Sequence, residues 1–460
     1  MINNAFIKHT LFRFMYYLPE HIKYGSQYRY IKSLIKQSEH WSEEEIYTYQ
    51  LQQLQKIIKH AYHNVPYYNS LFKQHQIHPT DIKEISDLKK IPYLTKDIIN
   101  ENRELIKSDS IKKSRLRYAT TGGSTGTPMG FYHENVHGWI EWAFMISQWE
   151  RIGYKDKDKC AVLRGGAVKN IIYRKKYWAH NNWLHPNWLI MSSYHLTDES
   201  IPLYYNKLKE FKPRFIQAYP SSLQVLADFM KRNSLPPISG LEGIFCGSEN
   251  IYDWQRSLFE EVFQTRVYSW YGHTEMLCLA GECEVSSTYH SYPQYGYTEL
   301  INDNDEWCTE EGEKGEIVAT GFWNYYFPMI RYKTQDVAIN TNKKCECGRN
   351  WKMIDRVEGR LQDYVIGSKG EKITLTALIF AQHFKAFEKI KKMQLYQNAA
   401  GKVTVRVVES QKLTNDDFTE IKSKMSEASH KSIDVDINIL SDIPLTIRGK
   451  HRFLIQEIES

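Results

Sequence analysis

The chain has 460 residues, 42% of them hydrophobic and 25% charged, with a net charge of +6. That length exceeds what a single core usually serves, so two or more domains are expected. Lysines and glutamates are interspersed and the net charge is small for the length, which argues against a nucleic-acid or membrane footprint and leaves anionic small ligands compatible. No segment approaches the roughly 20 uninterrupted apolar residues that a bilayer span needs. The run Leu11-Phe12-Arg13-Phe14-Met15-Tyr16-Tyr17-Leu18 is short, carries an arginine and lacks a small-residue cleavage site. It reads as a packed helix rather than a signal peptide, with docking at a membrane surface as the alternative. Seven cysteines make no disulfide scaffold, and a cytoplasmic location is expected.

Ser42 to His63 predicts a helix. Ser42 is its N-cap, glutamates fill the first turn, and Ile46, Leu51, Leu54, Ile57, Ile58 and Ala61 recur at helical spacing. Pro66 closes the pattern. Asp87 to Asp97 reads as a turn entering a helix capped by Thr95. Next comes Thr120 to Pro128, T-T-G-G-S-T-G-T-P, with three glycines and five hydroxyls. Glycines let consecutive N–H groups converge into an anion-binding nest, and hydroxyls add donors that rotate toward phosphate oxygens. The bland alternative is a flexible hydroxyl-rich turn. A Walker A loop is excluded, because Gly126 is followed by Thr127 and Pro128 instead of Lys-Ser/Thr.

Val136 to Arg151 predicts a tryptophan-bearing helix. Strand candidates Cys160–Leu163, Phe215–Tyr219, Gly243–Cys246 and Val267–Trp270 then alternate with helix candidates Leu203–Phe211, Leu223–Arg232 and Trp254–Phe263. This alternation predicts an α/β domain with a parallel sheet, whose ligands sit beyond the strand carboxyl ends. Gly247-Ser248-Glu249 and Tyr271-Gly272-His273-Thr274-Glu275 fall at such ends. From Tyr289 to Thr341 short β-type runs (Tyr297–Ile301, Gly315–Thr320, Met329–Tyr332) predict an antiparallel subdomain. Beyond Gln362, alternating Val403, Val405, Val407 and Ile433, Val435, Ile437, Ile439 flank a helix candidate, Asn415–Ser429, enough for a small α+β domain.

Five motifs occur in a fixed order: the Gly-rich loop, W-Y-G-H-T-E at 270–275, F-P-M-I-R-Y-K-T-Q-D at 327–336, E-G-R at 358–360 and P-L-T-I-R-G-K at 444–450. Together with H-N-V-P-Y-Y, L-K-K-I-P-Y-L-T-K, K-P-R-F-I-Q-A-Y-P-S and G-S-E-N-I-Y-D-W-Q-R, they resemble the adenylate-forming superfamily of acyl-CoA ligases. The nearer resemblance is to the phenylacetate–CoA ligase branch, including its capsule-biosynthesis and coenzyme F390 synthetase relatives. It covers the chain from Tyr62 onward.

The resemblance implies an α/β fold: an N-terminal adenylation domain (1–361, with a β subdomain at about 285–360) and a small mobile α+β C-terminal domain (362–460). It implies ATP-dependent activation of a carboxylic acid as an acyl-adenylate, with transfer to coenzyme A. An amine or hydroxyl acceptor in polysaccharide biosynthesis is the alternative, and a nucleotide-binding relative without the chemistry is a third reading. Thr121, Gly122, Gly123, Ser124, Thr125, Gly126 and Thr127 would cradle the outer phosphates. Glu275 would help hold Mg²⁺ and Thr274 would touch the α-phosphate. Gly247, Ser248, Glu249, Tyr271 and Gly272 would border the adenine, Asp336 would accept from the ribose hydroxyls, and Arg360 would add a charge contact. Lys450 would reach the α-phosphate and carboxylate oxygens as charge develops there. The hinge position holds Gln362 where the family has an acid.

Cys283, His290, Cys345 and Cys347 have the ligand chemistry of a structural zinc site, although Cys345-Glu346-Cys347 is tighter than the usual spacing. Some members of the resembled branch carry cysteines and a histidine at such places; Cys278 and Cys308 are read as bystanders. Trp139, Trp142, Trp178, Trp183, Tyr219 and His273 are candidates to line the acid pocket, with core packing as the commoner role of aromatics. The expected partners are a small carboxylic acid and ATP, no nucleic acid, and a homodimer is left open.

Overall fold

The computed structural model describes residues 18–110, 116–120, 129–164, 177–180, 185–360, 364–370, 372–375, 378, 386, 389–429, 431–445 and 451–458. The Leu11–Leu18 run, save Leu18, lies outside them, as do 121–128, Trp183, Gln362 and Lys450. After a single turn at Glu20–Lys23, the helices in chain order are α1 (Gly25–Gln37), α2 (Glu43–Asn64), α3 (Pro66–Gln74), α4 (Lys96–Asn102), α5 (His137–Glu150), α6 (Ile201–Phe211), α7 (Pro220–Arg232), α8 (Asp253–Phe263) and α9 (Asn415–Ala428). The strands begin with β1 (Leu116–Thr120), β2 (Gly130–Glu134), β3 (Cys160–Leu163), β4 (Trp178–His180), β5 (Trp188–Met191), β6 (Phe215–Ala218) and β7 (Gly243–Gly247). They continue with β8 (Val267–Gly272), β9 (Leu279–Gly281), β10 (Tyr289–Ser291), β11 (Gly296–Ile301), β12 (Lys314–Gly321), β13 (Tyr332–Asn340) and β14 (Met353–Arg360). The last are β15 (Tyr364–Ile366), β16 (Lys372–Thr374), β17 (Ile390–Ala399), β18 (Lys402–Glu409), β19 (Asp434–Ile439) and β20 (Leu454–Gln456). Among the described residues no helix is long and apolar enough to cross a membrane.

The chain forms two compact units. The first comprises Met1–Asp158, Asn181–Asn187 and Tyr268–Val357; the second comprises Lys159–His180, Trp188–Val267 and Glu358–Ser460. In the first unit α2 starts as predicted. The Ser42 hydroxyl accepts the Glu45 N–H while the Glu45 carboxylate accepts from the Ser42 N–H, satisfying two orphan donors. Its apolar stripe, Leu54, Ile57, Ile58 and Ala61, is fully buried against Tyr68 and Phe72 of α3 and against Phe322 and Ile330. Thr95 caps α4 by accepting the Ile98 N–H. β9 pairs antiparallel with β8 and β10, and β12 with β11 and β13, which gives the antiparallel body expected between Tyr289 and Thr341.

One expected strand is displaced. Met329–Tyr332 does not form one: β13 opens only at Tyr332, directly after Arg331, whose φ of +51° is left-handed and turns the chain as it enters the strand. Arg331 is held there by a buried carboxylate. Its Nε and a terminal nitrogen donate to Glu299 at 3.1 and 3.0 Å, and the other terminal nitrogen donates to the Ile91 carbonyl at 2.8 Å.

In the second unit β6 pairs parallel with β3 and β7, and β3 with β5, as strand–helix alternation predicted; β4 adds an antiparallel edge. α6, α7 and α8 pack on these strands through Tyr204, Leu208, Leu223, Leu226, Phe259 and Phe263. The C-terminal part is a four-stranded sheet in the order β19-β18-β17-β20, with Ile421 and Met425 of α9 in its core. The fold class is α/β with a C-terminal α+β part.

Candidate functional site

In the first unit, β8 ends at Gly272 and delivers His273, Thr274 and Glu275 to a strand end. The Tyr271 hydroxyl donates to the Asp336 carboxylate at 2.7 Å. Burial, with the Asp336 charge added, pushes this phenol well above its usual range, so it stays a donor. Asp336 is itself 9% exposed, and its N–H donates to the Thr334 hydroxyl at 3.1 Å. Gln335, at φ +65°, turns the β13 backbone just before it. The Tyr332 hydroxyl approaches Glu275 at 3.5 Å, and the side chain of Glu275 is 11% exposed. Gly272 and Thr274 are exposed beside it. Five predicted residues thus share one neighbourhood: Tyr271, Gly272, Thr274, Glu275 and Asp336. A half-sheltered carboxylate flanked by hydroxyls suits a hard cation such as Mg²⁺.

In the second unit, β7 ends at Gly247 and Ser248 turns out at φ +66°. The Glu249 carboxylate accepts from both the N–H and the hydroxyl of Ser221, each at 3.0 Å, which ties the β7 end to the first turn of α7. Arg164 donates to the Ser248 hydroxyl at 2.6 Å and lies 5.4 Å from the Tyr219 ring centre. A cavity of about 320 Å³ opens alongside, lined by Ser221, Gln224, Asp228, Trp254, His451 and Phe453 among others. Burial pushes Asp228 up to about 6 and His451 down to about 4. The His451 Nε2 sits 2.7 Å from the Met393 carbonyl oxygen. Leu445 and His451 both line this cavity and bound residues 446–450 in the chain; Lys450 is peptide-bonded to His451. Arg360 ends β14.

The structure brings Cys283, His290, Cys345 and Cys347 together, their ligand atoms all within 4.8 Å of one another. The sulfurs of Cys283 and Cys345 are 3.6 Å apart, and the Cys347 sulfur is 3.3 Å from His290 Nε2. His290 Nδ1 faces the Thr288 carbonyl oxygen at 3.0 Å, which fixes the proton there and leaves Nε2 for the cluster. Burial lowers this imidazole to about 4, so it is neutral at ordinary pH. The N–H groups of Val285 and Ser286 donate to the Cys283 sulfur at 3.3 and 3.2 Å, as a thiolate would want. Three sulfurs and one imidazole in this arrangement fit tetrahedral zinc. The tight Cys345–Cys347 spacing is accommodated because Cys283 and His290 complete the set from β9–β10. Cys278 stands apart, buried and bonded to Thr298.

The aromatic candidates divide. Trp139 packs on Tyr24, and Trp142 on His185 and Trp149. Trp178 packs on Tyr204. His273 stays at the strand end with Glu275, and Tyr219 sits under Arg164. Sequence reading missed Ser221 and Arg164. The Y-P-S at the end of β6 held a signal for the first, since a serine opening a helix beside a strand end has a rotatable donor to offer.

The solved 2-hydroxyisobutyryl-CoA ligase in its postadenylation state superposes with a TM-score of 0.73 at 17% identity, over 92% of this chain and 91% of that one. The fold is therefore that of the adenylate-forming CoA ligases. By sequence, the chain is a relative of the phenylacetate–CoA ligases and of CapK. It is 27% identical to the phenylacetate-coenzyme A ligase of Escherichia coli K12 over 71% of this chain and 73% of the relative. It is 24% identical to the protein CapK of Staphylococcus aureus over 90% of each. The family model for the CapK C-terminal domain matches residues 365–457.

Proposed function

We propose that the chain activates a carboxylic acid with ATP to an acyl-adenylate and passes the acyl group to coenzyme A. The observation that carries this reading is the Tyr271–Asp336 pair at 2.7 Å beside Glu275, at the end of β8, in a chain related to phenylacetate–CoA ligases. Asp336, held in place by the phenol, would accept from the ribose hydroxyls. Gly247, Ser248 and Glu249, braced by Ser221, would border the adenine, and the 121–127 loop would receive the outer phosphates. Glu275 would hold Mg²⁺, whose charge would neutralise phosphate oxygens when bound. Thr274 and Lys450 would face the α-phosphate, and Arg360 would add its charge to the nucleotide. The division at 361/362 is taken as the functional one, a C-terminal domain turning about Gln362; the family match starting at 365 supports it. Zinc at Cys283, His290, Cys345 and Cys347 would staple β9–β10 to the 345–347 loop.

Acid-dependent exchange of labelled pyrophosphate into ATP tests the first half-reaction. Lys450→Ala is expected to cut the exchange at least about 100-fold while the protein stays folded, the loss typical of removing one group that stabilises developing charge. Unchanged exchange in that variant removes Lys450 from its role. The likeness to CapK over 90% of both chains favours a second reading, an amine or hydroxyl acceptor in place of coenzyme A. Thioester formation on adding coenzyme A to the acyl-adenylate decides between them. ATP binding without exchange across a broad acid panel would leave only the non-catalytic reading.

A further inference from the structure

β3, β6 and β7 run parallel and side by side, with Leu163 beside Ala218 and Ala218 beside Cys246. Arg164, Tyr219 and Gly247 therefore leave the sheet next to one another at its carboxyl end, where parallel sheets present their ligands. One step further, Ser248 is exposed and has φ of +66°, a conformation that crowds a side chain against its own backbone and that glycine adopts more cheaply. A serine kept there needs holding from outside.

Two ties hold it. From the end of β3, Arg164 donates to the Ser248 hydroxyl at 2.6 Å, and the serine oxygen is the acceptor in that bond, since a guanidinium has none to offer. The guanidinium is braced in its turn. Its carbon lies 5.4 Å from the ring centre of Tyr219, a residue 8% exposed at the end of β6. From α7, the N–H and the hydroxyl of Ser221 hold the Glu249 carboxylate, each at 3.0 Å. Two consecutive side chains are thus anchored to different elements, and the peptide between them is fixed before any ligand arrives. A planar fork laid on an aromatic face has already lost much of its rotamer freedom, so the tie from Arg164 adds little ordering cost when a nucleotide binds.

We propose that Arg164 is a positioning residue for the nucleotide: by holding Ser248 in its left-handed turn, it presets the 248–249 peptide against which the adenine lies. This rests on the acid-activating reading above, which sets Gly247, Ser248 and Glu249 at the adenine. The role requires no contact between Arg164 and a reacting atom, so its loss weakens ATP binding and spares the chemical step.

The test is pyrophosphate exchange with ATP varied at saturating acid, and with the acid varied at saturating ATP. Arg164→Met is expected to raise the KM for ATP about five- to tenfold, while kcat and the KM for the acid stay within about twofold. Ser248→Ala removes the acceptor and leaves the end of β3 intact; it should raise the KM for ATP by a similar factor, and the double variant should lose no more than the larger single. Arg164→Lys keeps a donor but not the planar fork, and should fall between the wild type and Arg164→Met. Glycine accepts the left-handed turn unaided, so in a Ser248→Gly background Arg164→Met should change the KM for ATP by less than about twofold. An unchanged KM for ATP in Arg164→Met overturns the inference and leaves the acid-activating reading standing. A rise in the KM for the acid instead, or an undiminished effect in the Ser248→Gly background, overturns it in the same way. Should Arg164→Met fail to melt cooperatively, Ser248→Ala decides alone, and an unchanged KM for ATP there overturns the inference. Silence of the wild type across a broad acid panel overturns both the inference and the reading beneath it.

Discussion

Glu299→Ala should be among the costliest single substitutions in the first unit. The Glu299 carboxylate takes three donors: Arg331 Nε at 3.1 Å, an Arg331 terminal nitrogen at 3.0 Å and Trp307 Nε1 at 2.8 Å. Its side chain is 0% exposed and that of Arg331 is 4%. Removing it leaves a buried guanidinium holding only the Ile91 carbonyl and the face of Tyr93, 4.2 Å away. Breaking one side of a buried ion pair costs about 3–5 kcal/mol, and the orphaned indole N–H adds to that. Urea unfolding followed by far-UV circular dichroism measures the loss, and moderate salt should change it little, because a buried pair is weakly screened. Glu299→Leu combined with Arg331→Met should recover much of it, since an apolar pair carries no desolvation penalty. A single-variant loss below about 1 kcal/mol, or a double variant losing the sum of the singles, refutes the claim that this pair fixes Arg331 and the start of β13. The site depends on that start, because Tyr332 and Asp336 follow within five residues.

Tyr271→Phe should raise the KM for ATP about tenfold while leaving the fold intact, the value of one hydrogen bond to a charged group; an unchanged KM would separate Asp336 from nucleotide binding. Freshly purified protein should hold about one zinc per chain, as the three-thiolate, one-imidazole set requires. Cys345→Ser should lower that content, and freshly purified native protein without near-stoichiometric metal would retire the site. Asp228→Asn should stabilise the protein at neutral pH. Burial holds the folded carboxyl at about 6, above its ordinary 3.8, so the wild type gains stability as pH falls from about 6 toward 4 and lacks that gain at pH 7. Allowing for the opposing Arg232 charge and partial solvent contact, the gain at pH 7.5 is about 1–2 kcal/mol. Comparing urea midpoints of both proteins at pH 4.5 and 7.5 checks it; equal pH slopes would refute it.

Much of this was legible in the sequence because the signals were local. The Ser42 capping box, the Thr95 cap and the strand–helix alternation from Cys160 to Val267 each depend on residues a few positions apart. The ordered motifs placed Tyr271, Glu275 and Asp336, and ligand chemistry alone brought Cys283, His290, Cys345 and Cys347 into one candidate set. What escaped reading depends on distant partners. Met329–Tyr332 has the composition of a strand, and only a carboxylate 32 positions upstream explains why Arg331 leaves the pleat. Ser221 and Arg164 brace the β7 end from two other strands.

The loop bearing Cys345 and Cys347 also grips the chain's beginning. Arg349 donates to Glu39 across 310 positions, Lys344 pairs with Glu43 across 301, and Asn350 donates to the Trp41 carbonyl. α2 likewise waits for Phe322 and Ile330 to cover its apolar stripe. At about 5–20 residues per second on the ribosome, the first helices emerge roughly 15–60 s before the residues that fasten them. Through that interval Leu54, Ile57 and Ile58 face solvent or a chaperone. Nascent chains halted before residue 320 should therefore be captured by holdases and cleaved near residues 38–43, and chains extended past 350 should resist both.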